Sequence, residues 1–567
     1  MKRSLAAPLV LALAALAACE NDPAGPDIPE GCTAYADLAV GEAATFEGAE
    51  AVTVCLDNGG DGAEYALVGF RATRTTDKAP FQVDATDVDN VLGPPNPSLN
   101  PGAAPLLARL GSFGATPDRD FHVRLRERAA KELNPLVRSL DHARRAGGPR
   151  LAVSPAPPVV GQILPLNVSL SACTTQRVRF GRVKAISNRA IVVEDTTNPK
   201  NGLTDAEFQS IAVTFDTLVA PINDANFGAP ADIDANQRVV IFYTRAVNEM
   251  TERGSSSYVG GFFYARDLFP KTATEGFDAC AGSNEAEMFY MLAADPTGVV
   301  NGNIRSRELI LRNTIATVGH EYQHLINASR RLFVLDVRTD DWNEVVWLNE
   351  GLSHIAEELL FYRASGLSPR QNIGADDMSS QRRVDAFNQY ALDNFLRLEE
   401  YLQHPDTTSP YETDDDLAIR GSIWSFLRYA ADRKGGSEPT LWNQLVNNDV
   451  SGFENLEERL GVDPVDWVHD WTVANYTDDA VSTTGSTYRH ASWDYRSIFG
   501  ALSTPSRYPL LVRELTNANT LSLTVRGGAG TYLRAAVESD DDFGRVEFDT
   551  NGASVPDEFR VTVVRTK

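Results

Sequence analysis

The chain has 567 residues, of which 43% are hydrophobic and 23% are charged, and its net charge is −25 with a pI near 4.8. This composition is that of a globular protein and excludes a wholly disordered or fibrous chain. Phosphate backbones and anionic lipid headgroups repel so acidic a chain, so we expect no nucleic-acid partner. The length allows several domains with buried cores.

The first 18 residues have the pattern of a bacterial export signal, with two basic residues and then an apolar run too short to span a membrane. The run ends at Leu16–Cys19, which resembles the lipobox in which the cysteine becomes the acylated first residue. We expect a signal peptide at 1–18, lipidation of Cys19 and a tether at 19–31. The exported chain would then be a cell-envelope lipoprotein that meets the membrane through its anchor alone. An ordinary signal peptide with a chance cysteine is the alternative.

The cysteines beyond this signal predict two disulfides, because an even number in an exported protein usually pairs. They are Cys32, Cys55, Cys173 and Cys280. Three pairings are open, and we favour the most local one, which joins Cys32 to Cys55 and Cys173 to Cys280. No CxxC motif or Cys/His cluster indicates a metal–thiolate site.

The patterning of apolar and polar residues divides the rest of the chain into four parts. Residues 32–92 alternate with period two, which predicts a small β domain. Residues 93–165 combine linkers rich in Pro and Gly with a helical stretch near 123–146, and are a candidate pro-region. Residues 166–485 place strands before long helices. Residues 486–567 return to alternation and predict a second β module.

A zinc-binding pattern is present at His320-Glu321-Tyr322-Gln323-His324. Histidines at positions i and i+4 lie on one helical face, so both imidazoles can reach one metal ion. Glu321 lies between them and can meet a water on that metal from the side, as the general base. The flanking residues have apolar helical periodicity and contain no proline, which supports the helix that this arrangement requires.

Glu350 is the expected third ligand, since a catalytic zinc takes three protein ligands and keeps one position open. It follows Asn349 at the start of a second amphipathic helix. Two histidines and this glutamate resemble the gluzincin pattern of thermolysin and its relatives, in which an Asn-Glu pair on a second helix supplies the ligand. The competing interpretation of Glu350 is an acid at a helix N-terminus, favoured by the helix dipole.

Further segments resemble the hyicolysin family of bacterial neutral zinc metallopeptidases. They are Ala185–Asn188, Tyr258–Phe263, Ser283–Met288, His320–Asn327 and Trp347–Gly351. The likeness covers roughly residues 175–480 and does not include 32–165. It implies secreted or surface proteolysis with one zinc, and a substrate that lies along Cys280–Met288. We therefore expect an α+β fold whose zincin-type catalytic domain, a mixed sheet with active-site helices, is flanked by N-terminal and C-terminal β modules.

The sequence departs from the thermolysin-like pattern after Glu350. Those enzymes place an acid four residues later to orient a zinc histidine, and here that position is His354. We expect His354 either to support the ligands or to donate to the transition state, and Glu357 to hold an imidazole N–H. We expect Glu358 to be solvated. The candidates left open for the oxyanion donor are His469, His490, Tyr390, Tyr401 and Tyr411.

Asp232–Asn236 resembles the start of a calcium-binding loop. The glycine expected at its sixth position is replaced by Gln237, and the glutamate expected at its twelfth by Tyr243. We interpret the segment as a turn before a strand and leave weak Ca²⁺ binding open.

These features predict a lipid-anchored zinc metalloendopeptidase that hydrolyses internal bonds of protein or peptide substrates. A zinc aminopeptidase is the first alternative. Related aminopeptidases carry a Gly-x-Met-Glu-Asn segment, and residues 282–288 contain acids without that motif, which favours the endopeptidase. A catalytically inactive surface-binding lipoprotein is the second alternative, and the complete ligand set argues against it.

Overall fold

The structure, a computed structural model, describes residues 28–91, 119–145, 158–255, 258–273, 278–481, 485–503, 505–517 and 519–567. The predicted signal peptide, Cys19, most of the tether and most of the two predicted linkers lie outside these ranges. No helix in the described part of the chain is both long enough and apolar enough to cross a membrane.

Strands occur in two groups, before residue 293 and after residue 511. They are β1 (Ala34–Ala36), β2 (Ala43–Glu47), β3 (Thr53–Asp57), β4 (Ala63–Arg71), β5 (Lys78–Thr86), β6 (Ile163–Asn167), β7 (Val178–Ile186), β8 (Ala190–Asp195), β9 (Val239–Thr244), β10 (Gly261–Phe263), β11 (Met288–Leu292), β12 (Val512–Glu514), β13 (Leu521–Arg526), β14 (Gly530–Val537), β15 (Phe543–Asp549) and β16 (Phe559–Arg565).

Most helices of the described residues follow β11. The α-helices are α1 (Arg119–Arg145), α2 (Asp205–Thr214), α3 (Ala220–Phe227), α4 (Arg245–Asn248), α5 (Arg307–Ser329), α6 (Val346–Ser365), α7 (Gln381–Ala386), α8 (Leu392–Gln403), α9 (Leu417–Lys434), α10 (Glu438–Val446), α11 (Gly452–Leu460), α12 (Pro464–Thr477) and α13 (Tyr495–Leu502). Turns of π-helix extend or join some of them at Phe215–Val219, Arg330–Val334 and Phe387–Ala391. Strands and helices are largely segregated along the chain, so the fold is α+β, as predicted.

The central domain is built on a mixed sheet with the strand order β10-β11-β9-β8-β7-β6. β11, β9 and β8 are parallel, and the other pairs are antiparallel. Every residue of β9 is buried, as expected for a parallel strand covered on both faces. β10 and β6 are the two edge strands, and α5 packs against both β10 and β11. The edge beside α5 is therefore Gly261–Phe263 and not the segment Cys280–Met288 that the family resemblance suggested.

Strands from the two ends of the chain form one β-sandwich, which corrects the expectation of separate β modules at 32–92 and 486–567. Its sheets have the orders β1-β3-β15-β5-β13 and β12-β14-β4-β16-β2. The rings of Phe81 and Phe559 stack in its core with centroids 4.6 Å apart. Both sheets contain strands from both ends of the chain, so neither end can form this core without the other. The sheet that contains β4, β14 and β16 also packs residues such as Phe70 and Tyr532 against the central domain.

The sandwich begins later in the chain than residue 486. Trp493 is buried in the central domain, where its backbone forms a parallel bridge with Ile373.

Glu358 is buried between two partners. The Trp493 indole Nε1 donates to Glu358 Oε1 at 2.7 Å, and Glu358 also pairs with Arg428 at 2.7 Å. The expectation of a solvated Glu358 is therefore wrong, because a buried arginine and a buried indole require an acceptor at this position.

Both predicted disulfides are present, with the local pairing. Cys32–Cys55 ties the segment just before β1 to β3, and Cys173–Cys280 joins the loop after β6 to the loop before β11. The second bond encloses a sequence separation of 107 residues, so it restricts the unfolded chain the more strongly of the two.

Candidate metal centre

Two closely packed helices carry the predicted ligands. α5 begins at Ser306, whose hydroxyl accepts the Leu309 N–H at 3.2 Å, and it carries the motif in its buried second half. A side chain at Gly319 would come within 2.8 Å of Leu360 on α6. A side chain at Gly351 would come within 2.7 Å of Ile423 on α9. Gly319 directly precedes His320, and Gly351 directly follows Glu350. These two glycines allow the close approach of helices that brings the ligands together.

The ligand atoms converge on one point. His320 Nε2 and His324 Nε2 lie 3.1 Å apart, and the carboxylate oxygens of Glu350 lie 3.3 Å and 3.2 Å from them. Ligands about 2.0–2.2 Å from a tetrahedral zinc are separated by roughly 3.3 Å, so these three side chains fit one such ion. Burial lowers the pKa of both histidines, which keeps the imidazoles neutral and able to ligate.

The outer nitrogen of each imidazole is also held. His320 Nδ1 lies 2.8 Å from Glu357 Oε1, and His324 Nδ1 lies 3.0 Å from Asn349 Oδ1. Burial would raise the pKa of Glu357, but Arg397 and the neighbouring histidines outweigh it and hold the pKa well below its ordinary value. The ionised Glu357 accepts the His320 Nδ1–H, which leaves Nε2 as the ligand atom.

His354 lies beside the same carboxylate. Its Nδ1 is 3.1 Å from Glu357 Oε1, and its ring centroid is 4.8 Å from that of His320. Its Nε2 is buried, 4.0 Å from Glu350 Oε2, and has no hydrogen-bond partner among the residues that the structure describes. The position that carries an acid in thermolysin-like enzymes therefore holds a histidine here, and the acid that contacts His320 is Glu357, one turn later.

Glu321 is buried between the two histidines and is anchored to the edge of the sheet. Its Oε2 accepts the backbone N–H of Phe263, at the end of β10, at 2.7 Å. Burial raises the pKa of Glu321 to about 8, and the hydrogen bond from Phe263 and the charge of Arg420 oppose this rise. The carboxylate is thus fixed between the metal ligands and the sheet edge.

A buried ion pair beside the ligands was not predicted. Arg420 on α9 donates from Nε and Nη2 to the two carboxylate oxygens of Asp415, at 2.7 Å and 2.6 Å. Its Nη1 lies 3.1 Å from Glu350 Oε2. The only available signal in the sequence was an arginine among apolar residues in the first half of α9, and it does not reveal the partner.

Four of the five residues suggested for the oxyanion contact other groups in the part of the chain that the structure describes. His469 Nε2 lies 2.8 Å from Thr562 Oγ1 in the sandwich, and His490 Nε2 lies 3.1 Å from Asn475 Oδ1. The Tyr411 hydroxyl donates to the carbonyl of Thr73. Tyr401 stacks on Trp471. Tyr390 lies in the π-helical turn Phe387–Ala391, which packs against both α5 and α6.

Helix α1 lies over the metal centre. The Arg126 guanidinium forms an ion pair with the Glu350 carboxylate. The His122 imidazole lies within 4.8 Å of ligand oxygens of Glu350 and Asp415. The Phe121 ring packs on Phe262 of β10, with centroids 5.3 Å apart. The sequence predicted a helix near this position but not that it covers the site.

Comparison with known proteins gives one limited similarity. No family model matches the chain. A segment of 159 residues is 30% identical to the neutral metalloprotease ShpI of Staphylococcus hyicus. The match covers 28% of this chain and 32% of that protein, so the chain spans about a third of the length of this curated relative. A similarity of this extent supports a relationship to metalloproteases in general, and the geometry of His320, His324 and Glu350 agrees with it.

Proposed function

We propose that the protein is a zinc metalloendopeptidase of the gluzincin type, related to the hyicolysin-like neutral metallopeptidases. The observation that carries the proposal is the convergence of His320, His324 and Glu350 ligand atoms to within 3.1–3.3 Å, with Glu321 adjacent. The partial similarity to a neutral metalloprotease supports peptide bonds as the substrate. Two histidines and one carboxylate leave the fourth position of a tetrahedral ion open, as catalytic zinc sites require.

Each buried group around the ligands has a distinct role in this reaction. A bound zinc supplies Lewis-acid activation of a water and of the scissile carbonyl. Glu321 accepts a proton from the attacking water and donates it to the leaving amine. Glu357 sets the tautomer of His320, and Arg420 places a fixed positive charge beside the anionic ligand.

The substrate would bind along β10. This strand pairs with β11 on one side only, and its last N–H holds Glu321. A peptide that adds to such an edge forms backbone hydrogen bonds that do not depend on its sequence, which brings the scissile carbonyl toward the ligands.

Metal content and cleavage of blocked peptides test this proposal. Protein purified with zinc present should hold one zinc per chain and should cleave a quenched peptide that is blocked at both ends. Because α1 covers the site, cleavage should be measured before and after limited proteolysis. Cleavage of peptides with a free amino terminus alone would assign an aminopeptidase. A zinc content near zero, with no cleavage in either form, would favour the binding lipoprotein.

The location proposed for the enzyme is the outer side of a bacterial membrane, anchored by acylated Cys19. The supporting observation is the lipobox-like sequence at Leu16–Cys19 behind an apolar run. One acyl chain holds a protein only marginally, so stable anchoring requires the several chains of a bacterial lipoprotein. The variant Cys19→Ala should move from the membrane fraction to the soluble fraction, and unchanged fractionation would contradict the anchor.

A further inference from the structure

Three carboxylates meet away from the metal centre, where two loops enter neighbouring parallel strands. Asp232 and Asp234 precede β9, and Glu287 immediately precedes β11. Carboxylate oxygens of the three lie within 4.8 Å of one another. The Val240 N–H donates to the Glu287 carbonyl at 2.8 Å, so the sheet itself holds the two loops together.

Glu287 has a buried oxygen without a partner. The residue is 2% exposed, and its Oε1 accepts the Ile233 N–H. Its Oε2 has no hydrogen-bond partner among the described residues. Burial, together with the charges of Asp234 and Asp232, raises the pKa of Glu287 to about 8. A carboxylate in such a place is costly unless it is neutral or coordinates a cation.

Hydrogen bonds within the aspartate loop hold its carboxylates in place, including one from the Asn236 side-chain amide to Asp234 Oδ2. The backbone N–H groups of Asn236 and Gln237 donate to Asp234 Oδ1 and Asp232 Oδ1, each at 3.1 Å. Alternating acidic and amide side chains at 232, 234 and 236 match the first ligands of a calcium loop. The twelfth residue of this segment, Tyr243, has no carboxylate to offer as a ligand. Glu287 is the acid close to the loop that can supply one.

We propose that Asp232, Asp234 and Glu287 bind one divalent cation, and that the cation is calcium. The donor set consists of hard oxygen atoms, which calcium accepts in number and in irregular geometry. Zinc prefers nitrogen and sulfur, and magnesium keeps most of its waters. The ion would clamp the loops before β9 and β11 and so fix the sheet that carries the substrate-binding edge.

Calcium titration of the full-length, zinc-loaded chain tests the site. In buffer freed of calcium, added CaCl₂ should raise the Tm of the wild type and bind with one-to-one stoichiometry by calorimetry. Glu287→Gln and Asp234→Asn should weaken binding at least ~10-fold, since each removes an anionic ligand. Glu285→Gln, an exposed neighbour that pairs with Lys271, is the matched control and should bind as the wild type does.

Zinc content is measured in every sample, so that calcium effects are separated from those of the metal centre. Without calcium, Glu287→Gln should be about as stable as the wild type, because burial already favours the neutral form of Glu287 and glutamine has nearly the same shape. A wild type whose Tm does not respond to calcium, or a Glu287→Gln variant that responds equally, would overturn the proposal and leave Glu287 as a neutral buried acid.

A separate observation concerns helix α1 and rests on the proposed function. Its buried side lies on the central domain, with Phe121, Leu125, Leu133 and Val137 each 5% exposed or less. Its Asn134 Oδ1 accepts the indole N–H of Trp342 at 2.8 Å. The helix is therefore docked along its length, and its first turns lie where a peptide on β10 would approach Glu321.

We infer that α1 is an inhibitory segment that fills the substrate cleft and occupies Glu350 through Arg126. The chain would be active only when α1 is displaced, either by a competing ligand or by cleavage beside the helix. Removal of everything before the central domain is not required, because β1–β5 remain paired with β12–β16 in the sandwich.

The test compares full-length variants at equal zinc content. Leu133→Glu should loosen α1, and Arg126→Gln should release Glu350 without removing the apolar contacts. Both should bind a peptide hydroxamate at least ~10-fold more tightly than the wild type and should make α1 easier to cut by a protease. Lys131→Glu, on the exposed side of the same helix, should behave as the wild type.

The outcomes separate this inference from the proposed function. Equal hydroxamate affinity and equal cleavage rates in the wild type and both variants would overturn inhibition by α1, while the peptidase assignment would stand. Tighter hydroxamate binding with no cleavage in any form would support occlusion and contradict the peptidase assignment. Thermal unfolding of Leu133→Glu shows whether this substitution disturbs the whole domain. If it does, inhibition by α1 is judged from Arg126→Gln alone.

Discussion

Glu321→Gln should lower the rate of peptide cleavage at least ~100-fold while the chain keeps its zinc. Glutamine has nearly the same size and can still accept the Phe263 N–H, which lies 2.7 Å from the carboxylate. It cannot take up the proton of the attacking water. A factor of ~100 corresponds to about 2.7 kcal/mol of transition-state stabilisation. Zinc content, thermal unfolding and cleavage of a blocked peptide should be measured on the same preparation.

Glu308→Gln is the matched control for this variant. It makes the same substitution on α5, at an exposed position in the first turn of the helix, far along the chain from the motif. It should retain wild-type zinc content and cleavage. If Glu321→Gln cleaves peptides as fast as Glu308→Gln, either Glu321 is not the base or the protein is not a metallopeptidase.

Glu350→Gln should lose zinc as well as activity. The substitution removes the anionic ligand and leaves Arg126 and Arg420 beside a site without the charge that both now contact. Zinc content should fall well below one per chain after dialysis, and cleavage should fall with it, with partial recovery when zinc is added in excess. Metal analysis across a series of free zinc concentrations gives the affinity directly.

The same experiment separates the two interpretations of Glu350. An acid that only favours the start of α6 is worth about 0.3–1 kcal/mol of helix stability, and its replacement would leave the zinc affinity unchanged. If Glu350 is a zinc ligand, its replacement should instead lower the zinc affinity. Retention of one zinc per chain in Glu350→Gln would therefore assign the residue to the helix terminus and require another third ligand.

The sequence predicted those features that depend on neighbouring residues. The helix expected near Arg307 begins there, and His320 and His324 lie on one face because four residues make slightly more than one helical turn. The turn at Asp232–Asn236 precedes β9 as expected. The local disulfide pairing was also correct, since short loops close at the lowest entropic cost.

Contacts between distant segments were predicted poorly. The pairing of β4 with β14 and β16 joins residues more than 450 positions apart, and the alternation in each strand is the same whichever partner covers it. Glu358 was expected in solvent, yet Arg428 and Trp493 bury it. Its helical position could not reveal this, because both partners come from other helices or loops.

The catalytic groups were thus determined by the local sequence, and the residues that hold them were determined by the tertiary structure. Spacing within one helix was enough to bring two imidazoles and Glu321 together, because covalent geometry and helical pitch set their separation. Only the tertiary structure decided that the imidazole held by Glu357 is that of His320, that Glu287 lies beside the aspartate loop, and that Arg126 reaches Glu350. These contacts depend on which surfaces are buried against each other, and burial is a property of the assembled layers that no local pattern encodes.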